Sequence, residues 1–401
     1  MNNTSIKNIV IFSESYPYGH AEVFLENEVH YLADYAEKIE IYPRKKLGTV
    51  RETPENVIIN DLLSKTTFLD YLKQLFVNFF FLRYLSLFVT AQKRAKTPFF
   101  RSLRSFIGYC LDGFAMAEKL NKVQFPINAI LYSYWYKHTA LALALIHTNT
   151  KKIIRTHRGD LYEEEYSFPF HKFISEKINK IYSISKQGKD YLINHYNIKQ
   201  DKIEVNYLGT YNNQKSCLPI KKNKVCIISC SALIERKRVG LIFDVIEHFA
   251  KANSDKEINW THVGGGPLLE KMRSRSSTQK NLHVNFTGNL PNKDFHHLLC
   301  TNFYDVFLNL STSEGIPVTI MEAISYGIPA IATDVGGTKE IVDASSGILL
   351  PENFKIEQAA MAIDGILEKG NNLRLSAKNF WDKNFNAQKN YSHFYQSISE
   401  L

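Results

Sequence analysis

The chain has 401 residues and a net charge of +9, with 44% hydrophobic and 22% charged residues. Single hydrophobic cores stop growing at roughly 250 to 300 residues, so this length indicates two domains, and the composition excludes a disordered or fibrous protein. No nucleic-acid-binding motif accompanies the positive charge, so nucleic acid is not expected as a partner.

Short apolar runs alternate with helical patterns in the first half of the chain. Strands are predicted at 8–12, 38–42, 129–132, 152–156 and 180–183, and helices at 23–33 and 171–178. This alternation is typical of a parallel, doubly wound sheet. Residues 1–207 are therefore predicted to form an α/β, Rossmann-like domain.

The same pattern starts again after residues 208–224, whose polar composition is that of a linker. Strands are predicted at 225–229, 258–263, 284–287, 305–310 and 330–332. A second Rossmann-like domain is therefore expected at 225–375. Open α/β sheets bind ligands at the carboxyl ends of their strands, so two such domains facing a central cleft would suit a reaction between two substrates.

Residues 71–111 contain no acidic side chain and interleave cations with aromatic residues. The cations are Lys73, Arg83, Lys93, Arg94, Lys96, Arg101 and Arg104. A basic, aromatic, amphipathic stretch can lie on an anionic membrane surface. The alternative is an ordinary pair of helices with solvated cations and a buried aromatic face.

Targeting signals are not apparent in the sequence. The apolar run near the N-terminus is too short for a signal peptide, and no uncharged stretch reaches the roughly 20 residues that span a bilayer. Five cysteines without a Cys-x-x-Cys pair indicate reduced thiols. These features predict a cytoplasmic protein, peripheral at the inner face of the cytoplasmic membrane.

The segment 305–323 reads as a strand, a small polar loop and a helix with Pro317 in its first turn, where no N–H donor is needed. The free N–H groups of Val318 and Thr319 would then point out of the helix start. Together with the helix dipole, they predict a site for a phosphate.

Glu314 and Glu322 bracket this helix start. In a continuous helix they would lie about 12 Å apart, whereas a glycosidase carboxylate pair requires roughly 5 to 9.5 Å. Two acceptors on either side of a phosphate site suit an elongated ligand with hydroxyls at both ends, such as a nucleotide sugar.

This segment resembles the motif of two glutamates, with seven residues between them, in family-four glycosyltransferases, which are retaining enzymes of the GT-B fold. Ser-Glu-Gly-x-Pro, the second Glu, Gly327-Ile328-Pro329 and Gly336-Gly337 match in order. The resemblance implies that Glu314 contacts donor-sugar hydroxyls and Glu322 holds the ribose diol. Residues between them that would line the donor site are Gly315, Ile316, Pro317, Val318 and Thr319. Many relatives have Gly in place of Pro317, so one backbone donor is missing here.

Lys237 lies in a segment that resembles the diphosphate-binding segment of the family. A cation fixed beside the leaving diphosphate would stabilise the transition state more than the ground state. Family members often have Arg five residues earlier, where this chain has Ala232. Either Arg236 or Arg238 could replace that missing cation.

Three further segments carry weaker matches to the family. The resemblance implies that His157 contacts the donor sugar near the reacting carbon. It also places Gly19 in the first glycine-rich loop, and Asn289 and Leu290 beside the nucleotide base. Residues 376–401 resemble the terminal helix that crosses back to the first domain in this fold.

The resemblance implies a retaining hexosyltransferase that uses a UDP- or GDP-sugar and needs no cofactor or metal, since no Asp-x-Asp motif is present. Its expected acceptor is a lipid-linked oligosaccharide in capsule, exopolysaccharide or O-antigen assembly of the bacterial type. A sugar-nucleotide epimerase or hydrolase of the same fold, or a catalytically silent binding subunit, is the alternative. The base, sugar, acceptor and linkage stay open.

Overall fold

The structure is a computed structural model that describes residues 8–19, 21–77, 84–93, 98–162, 168–212 and 223–401, with the backbone alone at 75–77. These residues form two compact units. The first contains the chain up to Leu208 together with Gln388–Leu401, and the second contains Gly209–Ala387.

The first unit is built on a seven-stranded sheet whose neighbouring strands are all parallel. Its strands are β1 (Asn8–Ser13), β2 (Lys38–Pro43), β3 (Val57–Ile59), β4 (Ala129–Ser133), β5 (Lys151–Thr156), β6 (Lys180–Ser183) and β7 (Ile203–Val205). Their order is β3-β2-β1-β4-β5-β6-β7, so the direction of winding reverses between β1 and β4.

Helices cover the sheet of the first unit. In chain order they are α1 (Val23–Ala33), α2 (Phe68–Val77), α3 (Leu85–Gln92), α4 (Phe99–Leu120), α5 (His138–Leu145), α6 (Arg158–Leu161), α7 (His171–Lys177) and α8 (Lys186–Tyr196). Buried apolar clusters lie around Phe106 and Leu141 in one part of the core and around Ile11 and Tyr132 in another. Strands buried in this way read as continuous apolar runs, which is why they were visible in the sequence.

The second unit has a six-stranded sheet, again parallel throughout. Its strands are β8 (Lys224–Cys230), β9 (Glu257–Val263), β10 (Leu282–Gly288), β11 (Val306–Asn309), β12 (Ala330–Thr333) and β13 (Gly347–Leu350). The order β10-β9-β8-β11-β12-β13 is that of the doubly wound dinucleotide-binding sheet, with its reversal between β8 and β11.

The remaining helices follow the strands of the second unit and close the chain. They are α9 (Val239–Ala252), α10 (Leu269–Arg273), α11 (Asn292–Thr301), α12 (Val318–Ser325), α13 (Ile356–Asn384) and α14 (Ala387–Ser399). Gly370 interrupts α13 with a positive φ of 49°. One core around Phe243, Trp260 and Ile363 joins this sheet to its helices.

The C-terminal segment differs from the single terminal helix predicted at 376–401. The chain breaks after Asn384 and starts a new helix at Ala387. Trp381 donates from its indole N–H to Thr210 Oγ1 at 2.8 Å within the second unit, whereas Phe394 belongs to the core of the first unit. Residues up to Ala387 therefore belong to the second unit.

The predicted linker also differs, because all but the first of its described residues belong to the second unit. Thr210 exchanges backbone hydrogen bonds with Phe385 and Ala387, at 2.9 and 3.0 Å. A Cβ on Gly209 would lie 2.3 Å from Ala387 Cα, so this close approach requires glycine. Residues 213–222 of the predicted linker lie outside the described part of the chain.

Among the described helices, none is both long and apolar enough to cross a membrane.

Candidate functional site

Strands β8 and β11 lie side by side at the point where the winding of the second sheet reverses. At such a point the loops after the two strands diverge and leave a crevice at the carboxyl edge of the sheet. Lys237 follows β8 in a 3-10 turn, and Glu314 follows β11. The topology therefore brings together two residues that are 77 positions apart.

Glu314 is held by an ion pair and an amide. Lys237 Nζ lies 2.5 Å from Glu314 Oε1, and Asn309 Nδ2 donates to the same oxygen at 3.2 Å. Glu314 is only 8% exposed. Within the described chain no group bonds to Oε2, so one carboxylate oxygen is fixed and the other is available to a ligand.

The loop that carries Glu314 is packed against the glycines that follow β12. Gly336 has φ 57°, and a Cβ there would lie 1.9 Å from the carbonyl oxygen of Glu314. The N–H of Gly337 donates to Gly315 O at 2.8 Å. The Gly-Gly pair seen in the sequence thus allows the backbone contact that positions Glu314.

Helix α12 begins directly after Pro317, which is its N-cap residue rather than part of its first turn. The Ile320 N–H donates to Pro317 O at 3.0 Å. Val318 and Thr319 are the first helical residues, so their N–H groups have no partner within the helix. Both residues are partly exposed, and this helix start can accept an anion.

Glu322, on α12, is held in place by two side chains of α11. Asn292 Nδ2 donates to Glu322 Oε1 at 2.8 Å, and His296 Nε2 lies 3.3 Å from that oxygen. Neither Asn292 nor His296 is predicted from the sequence. The available signal was their spacing of four residues on one helix, which places both side chains on one face.

The two arginines near Lys237 have different surroundings. Arg238 donates to Leu310 O at 2.5 Å, to Ser311 O at 3.2 Å and to Glu352 O at 3.3 Å. Arg236 is exposed, and its guanidinium has no partner among the described residues. Arg236 is thus the cation left free to replace an arginine at Ala232.

The loop after β10 contacts the loop after β9 rather than standing alone. Asn289 Oδ1 accepts a hydrogen bond from Gly265 N at 2.7 Å, and Leu290 is partly buried. Gly264 has φ 137°, and a Cβ there would lie 2.0 Å from Ser231 O. The two loops and the end of β8 therefore form one packed edge, while a role of Asn289 and Leu290 beside a base stays a prediction.

In the first unit, His157 follows β5 and precedes α6. Its ring lies 4.6 Å from the rings of Tyr134 and Trp135, and the residue is 7% exposed. Neither ring nitrogen makes a hydrogen bond within the described chain. Asp160 orders the loop by accepting from the N–H groups of Tyr136 and His157. Nδ1 lies 3.8 Å from Asp160 Oδ2, so this buried imidazole has an ion-pair neighbour but no hydrogen bond, and it is a ligand-binding candidate.

Gly19 has a packing role in the loop after β1. It has φ 71°, and a Cβ there would lie 2.2 Å from Leu47 O. Three amides in this loop already have an acceptor, because the Glu22 carboxylate bonds to the N–H groups of Glu14, Ser15 and Tyr16 at 2.7 to 3.0 Å. Donor binding by Gly19 stays a prediction.

A charged cluster that no motif in the sequence predicts lies after β1 and β2. Arg44 bonds to Glu14 and to Asp112, and His138 Nδ1 lies 2.9 Å from Asp112 Oδ2. Burial raises the pKa of Asp112, but hydrogen bonding to His138, the charges of His138 and Arg44 and a bond from Tyr71 outweigh it and lower the pKa to about 2. Among the described residues, no three His, Cys, Asp or Glu side chains are grouped to hold a metal ion.

Comparison with known proteins shows which proteins this chain resembles in sequence. A model for glycosyl transferases group 1 matches residues 211–380. The O-antigen biosynthesis glycosyltransferase WbnH of Escherichia coli is 29% identical over 57% of this chain and 61% of its own length. The putative colanic acid biosynthesis glycosyltransferase WcaL of E. coli K12 is 30% identical over 38% of this chain and 39% of its own length.

Solved structures resemble the whole chain in fold. The apo form of the lipopolysaccharide outer core galactosyltransferase WaaB has a TM-score of 0.68 at 15% identity, covering 98% of this chain and 100% of that one. Anabaena Alr3699/HepE in complex with UDP has a TM-score of 0.64 at 15% identity, with 98% and 100% covered.

Two parallel, doubly wound α/β units with these neighbours define the chain as a protein of the GT-B fold. Residues 211–380 belong to the glycosyl transferases group 1 family. The chain spans 61% of the length of the two E. coli O-antigen relatives that it matches.

Proposed function

We propose that the chain is a retaining glycosyltransferase that moves a hexose from a nucleotide-diphosphate sugar to a glycan acceptor. The observation that carries the proposal is the Lys237–Glu314 ion pair, which lies at the strand-order reversal of a group 1 domain. It combines a cation for the leaving diphosphate with a carboxylate whose second oxygen can accept sugar hydroxyls.

The donor is a UDP- or GDP-sugar. In this proposal Glu322 binds the ribose, the start of α12 binds the phosphates, and Glu314 binds the hexose. Support for UDP comes from the neighbouring Anabaena protein, whose structures contain UDP and UDP-glucose. Asn289, Leu290, Gly315 and Ile316 complete the proposed donor site.

Charge stabilisation carries the chemistry. As the glycosidic bond breaks, negative charge grows on the diphosphate, where Lys237, Arg236 and the N–H groups of Val318 and Thr319 supply fixed positive charge and donors. The acceptor hydroxyl attacks the face from which the diphosphate departs, and a phosphate oxygen takes its proton. This site does not require a metal ion. The resemblance supports a role for His157 in contacting the donor sugar.

The acceptor is a lipid-linked oligosaccharide in surface polysaccharide assembly. The relatives named for O-antigen and colanic acid biosynthesis support that class of pathway. The chain would then work at the inner face of the cytoplasmic membrane.

The start of α4 supports membrane contact. Phe99 and Phe100 are 51% and 84% exposed, and Arg101 and Arg104 on the same helix are exposed as well. Phe88 and Phe106 are buried, so only part of the aromatic set faces inward. Arg83, Arg94 and Lys96 lie outside the described residues.

Replacing Glu314 or Lys237 tests the reaction. E314A and K237A are each expected to lower kcat/KM by about 100- to 1,000-fold, because each removes a group that stabilises the transition state. The double variant should lose less than the sum, since the two groups act as a pair. Turnover of UDP- and GDP-sugars would be measured with a membrane lipid extract as acceptor.

E270A and K280A change exposed charges outside the site and serve as matched controls. Donor consumption without a glycosylated product would favour the epimerase or hydrolase. Nucleotide binding without any turnover would favour the silent binding subunit.

Liposome binding tests the membrane proposal. F99E/F100E is expected to reduce binding to phosphatidylglycerol vesicles by about tenfold, because both rings are exposed beside two arginines. I127E introduces the same charge at a residue that is 86% exposed and outside this segment. Equal loss in both variants, or no binding by the unmodified protein, would contradict the proposal.

A further inference from the structure

Glu322 is presented to its ligand by helix α11. Asn292 and His296 both reach Glu322 Oε1, at 2.8 and 3.3 Å. Glu322 is 6% exposed, and within the described chain no group bonds to its Oε2. The carboxylate therefore has one oxygen held by α11 and one available.

His296 is itself oriented by a second contact. Its Nδ1 lies 3.0 Å from the hydroxyl oxygen of Tyr326. Burial raises the pKa of Tyr326, with the charges of Cys300 and Glu322 adding to the effect, so the hydroxyl stays protonated. When the tyrosine O–H donates to Nδ1, Nε2 carries the ring proton and faces Glu322 Oε1 at 3.3 Å.

Glu314 is held in the same way by different residues. Lys237 and Asn309 both reach its Oε1. In each glutamate, one carboxylate oxygen is contacted by two groups. One is a side-chain amide, and the other is an imidazole for Glu322 or an ammonium group for Glu314. Both glutamate side chains therefore lose their rotamer entropy when the protein folds, and ligand binding does not have to order them again.

We propose that His296 and Asn292 are positioning residues that aim Glu322 at the 2′- and 3′-hydroxyls of the donor ribose. They thereby set the preference of the site for ribonucleotides over 2′-deoxyribonucleotides. This inference rests on the proposed function, in which Glu322 binds ribose. Without these two residues the Glu322 carboxylate could rotate, and it would then bind a deoxyribose, with one hydroxyl, nearly as tightly as a ribose, with two.

Calorimetric titration of the full chain with UDP, 2′-deoxy-UDP, GDP and 2′-deoxy-GDP tests the proposal. The unmodified protein should bind its ribonucleotide about tenfold more tightly than the deoxy form, the value of one charge-assisted hydrogen bond. E322A should abolish that preference. H296A and N292A should each reduce it to about threefold or less while leaving the affinity for the deoxynucleotide unchanged.

H297A changes the neighbouring exposed histidine of α11 and should keep the full preference. H296Q should restore part of it, because the glutamine amide can donate to the carboxylate. In turnover assays H296A should raise KM and leave kcat unchanged, a split that general loss of structure would not produce.

If H296A and N292A both keep the full ribose preference while E322A loses that preference, the inference is wrong but the proposed function stands. Equal weakening of both nucleotide forms would also overturn it, since that pattern indicates a structural role. If the unmodified protein binds none of the four nucleotides, the proposed function and the inference fail together.

Discussion

Arg236 and Arg238 show how two residues with similar sequence context acquire different roles. Arg238 satisfies carbonyl groups at the end of β11, whereas the Arg236 guanidinium is exposed and unpaired within the described chain. A buried carbonyl that loses its donor destabilises a protein, but an exposed cation contributes little to folding. Arg236 is therefore available for a ligand, and Arg238 supports the loop.

Substituting each arginine separately distinguishes these roles. R236A is expected to weaken nucleoside diphosphate binding by about tenfold without changing the melting temperature, because it removes one charge-assisted contact. R238A should lower the free energy of unfolding by about 1 to 3 kcal/mol. Calorimetric titration and thermal melts measure the two effects. A stable R238A variant with weakened binding would reverse the assignment.

The residues of the candidate site were predictable to different degrees. Lys237 and Glu314 stand in recognisable motifs, and the structure joins them at 2.5 Å. Asn292 and His296 were not predicted, because their partner Glu322 lies about one strand and one loop away in the chain. A contact of that kind depends on how helices pack, which no local pattern records.

At the scale of elements, loops rather than strands position the site. The turn after β12 supports the turn after β11 through Gly336, whose φ is 57° and whose missing Cβ leaves room for Glu314 O. An L side chain at this position would meet both a strained backbone and a backbone atom that cannot move away. The geometry of Glu314 therefore depends on a glycine 22 residues later in the chain.

Replacing Gly336 tests this dependence. G336A is expected to lower kcat/KM about as strongly as E314A and to destabilise the second unit by about 1 to 3 kcal/mol. G240A, on helix α9, adds a methyl group with no heavy atom within 4 Å and should leave the stability unchanged or slightly raised. Kinetics and thermal melts of both variants provide the comparison. Normal activity in G336A would show that the loop adjusts.

Buried central strands were predicted well, and so was the seven-residue edge strand β10, whereas the three shortest edge strands were not. Strands β1, β4 and β8 carry continuous apolar runs because both faces of the sheet are covered. The strands that were missed, β3, β7 and β13, have three or four residues and lie at sheet edges. Such short segments have one hydrogen-bonded neighbour and too few buried side chains to stand out from loops.

At the scale of the whole molecule, the chain returns to its first unit after completing the second. Phe394 and Ile398 of α14 are buried in the first core, and the Arg155 guanidinium lies 4.4 Å from the Phe394 ring. Arg155 also bonds to Tyr132 Oη at 2.7 Å. The last helix is therefore part of the first unit, although it is the most distant in sequence.

Two aromatic substitutions test the division at Ala387. F394A is expected to destabilise the first unit by about 3 to 5 kcal/mol, and W381A the second unit by a similar amount, because each removes a buried ring from a different unit. Hydrogen exchange followed by mass spectrometry reports each unit separately. If both variants loosened the same unit, the boundary at Ala387 would be misplaced.

The chain's own pattern determined two doubly wound domains and predicted the glutamates and lysine of the candidate site, because apolar periodicity and short motifs are local properties. Packing settled the rest. Which unit holds residues 376–387, which arginine is free and what orients Glu322 all depend on contacts between segments far apart in the chain. Such contacts arise when helices and loops close against a finished sheet, so they leave no local mark in the sequence.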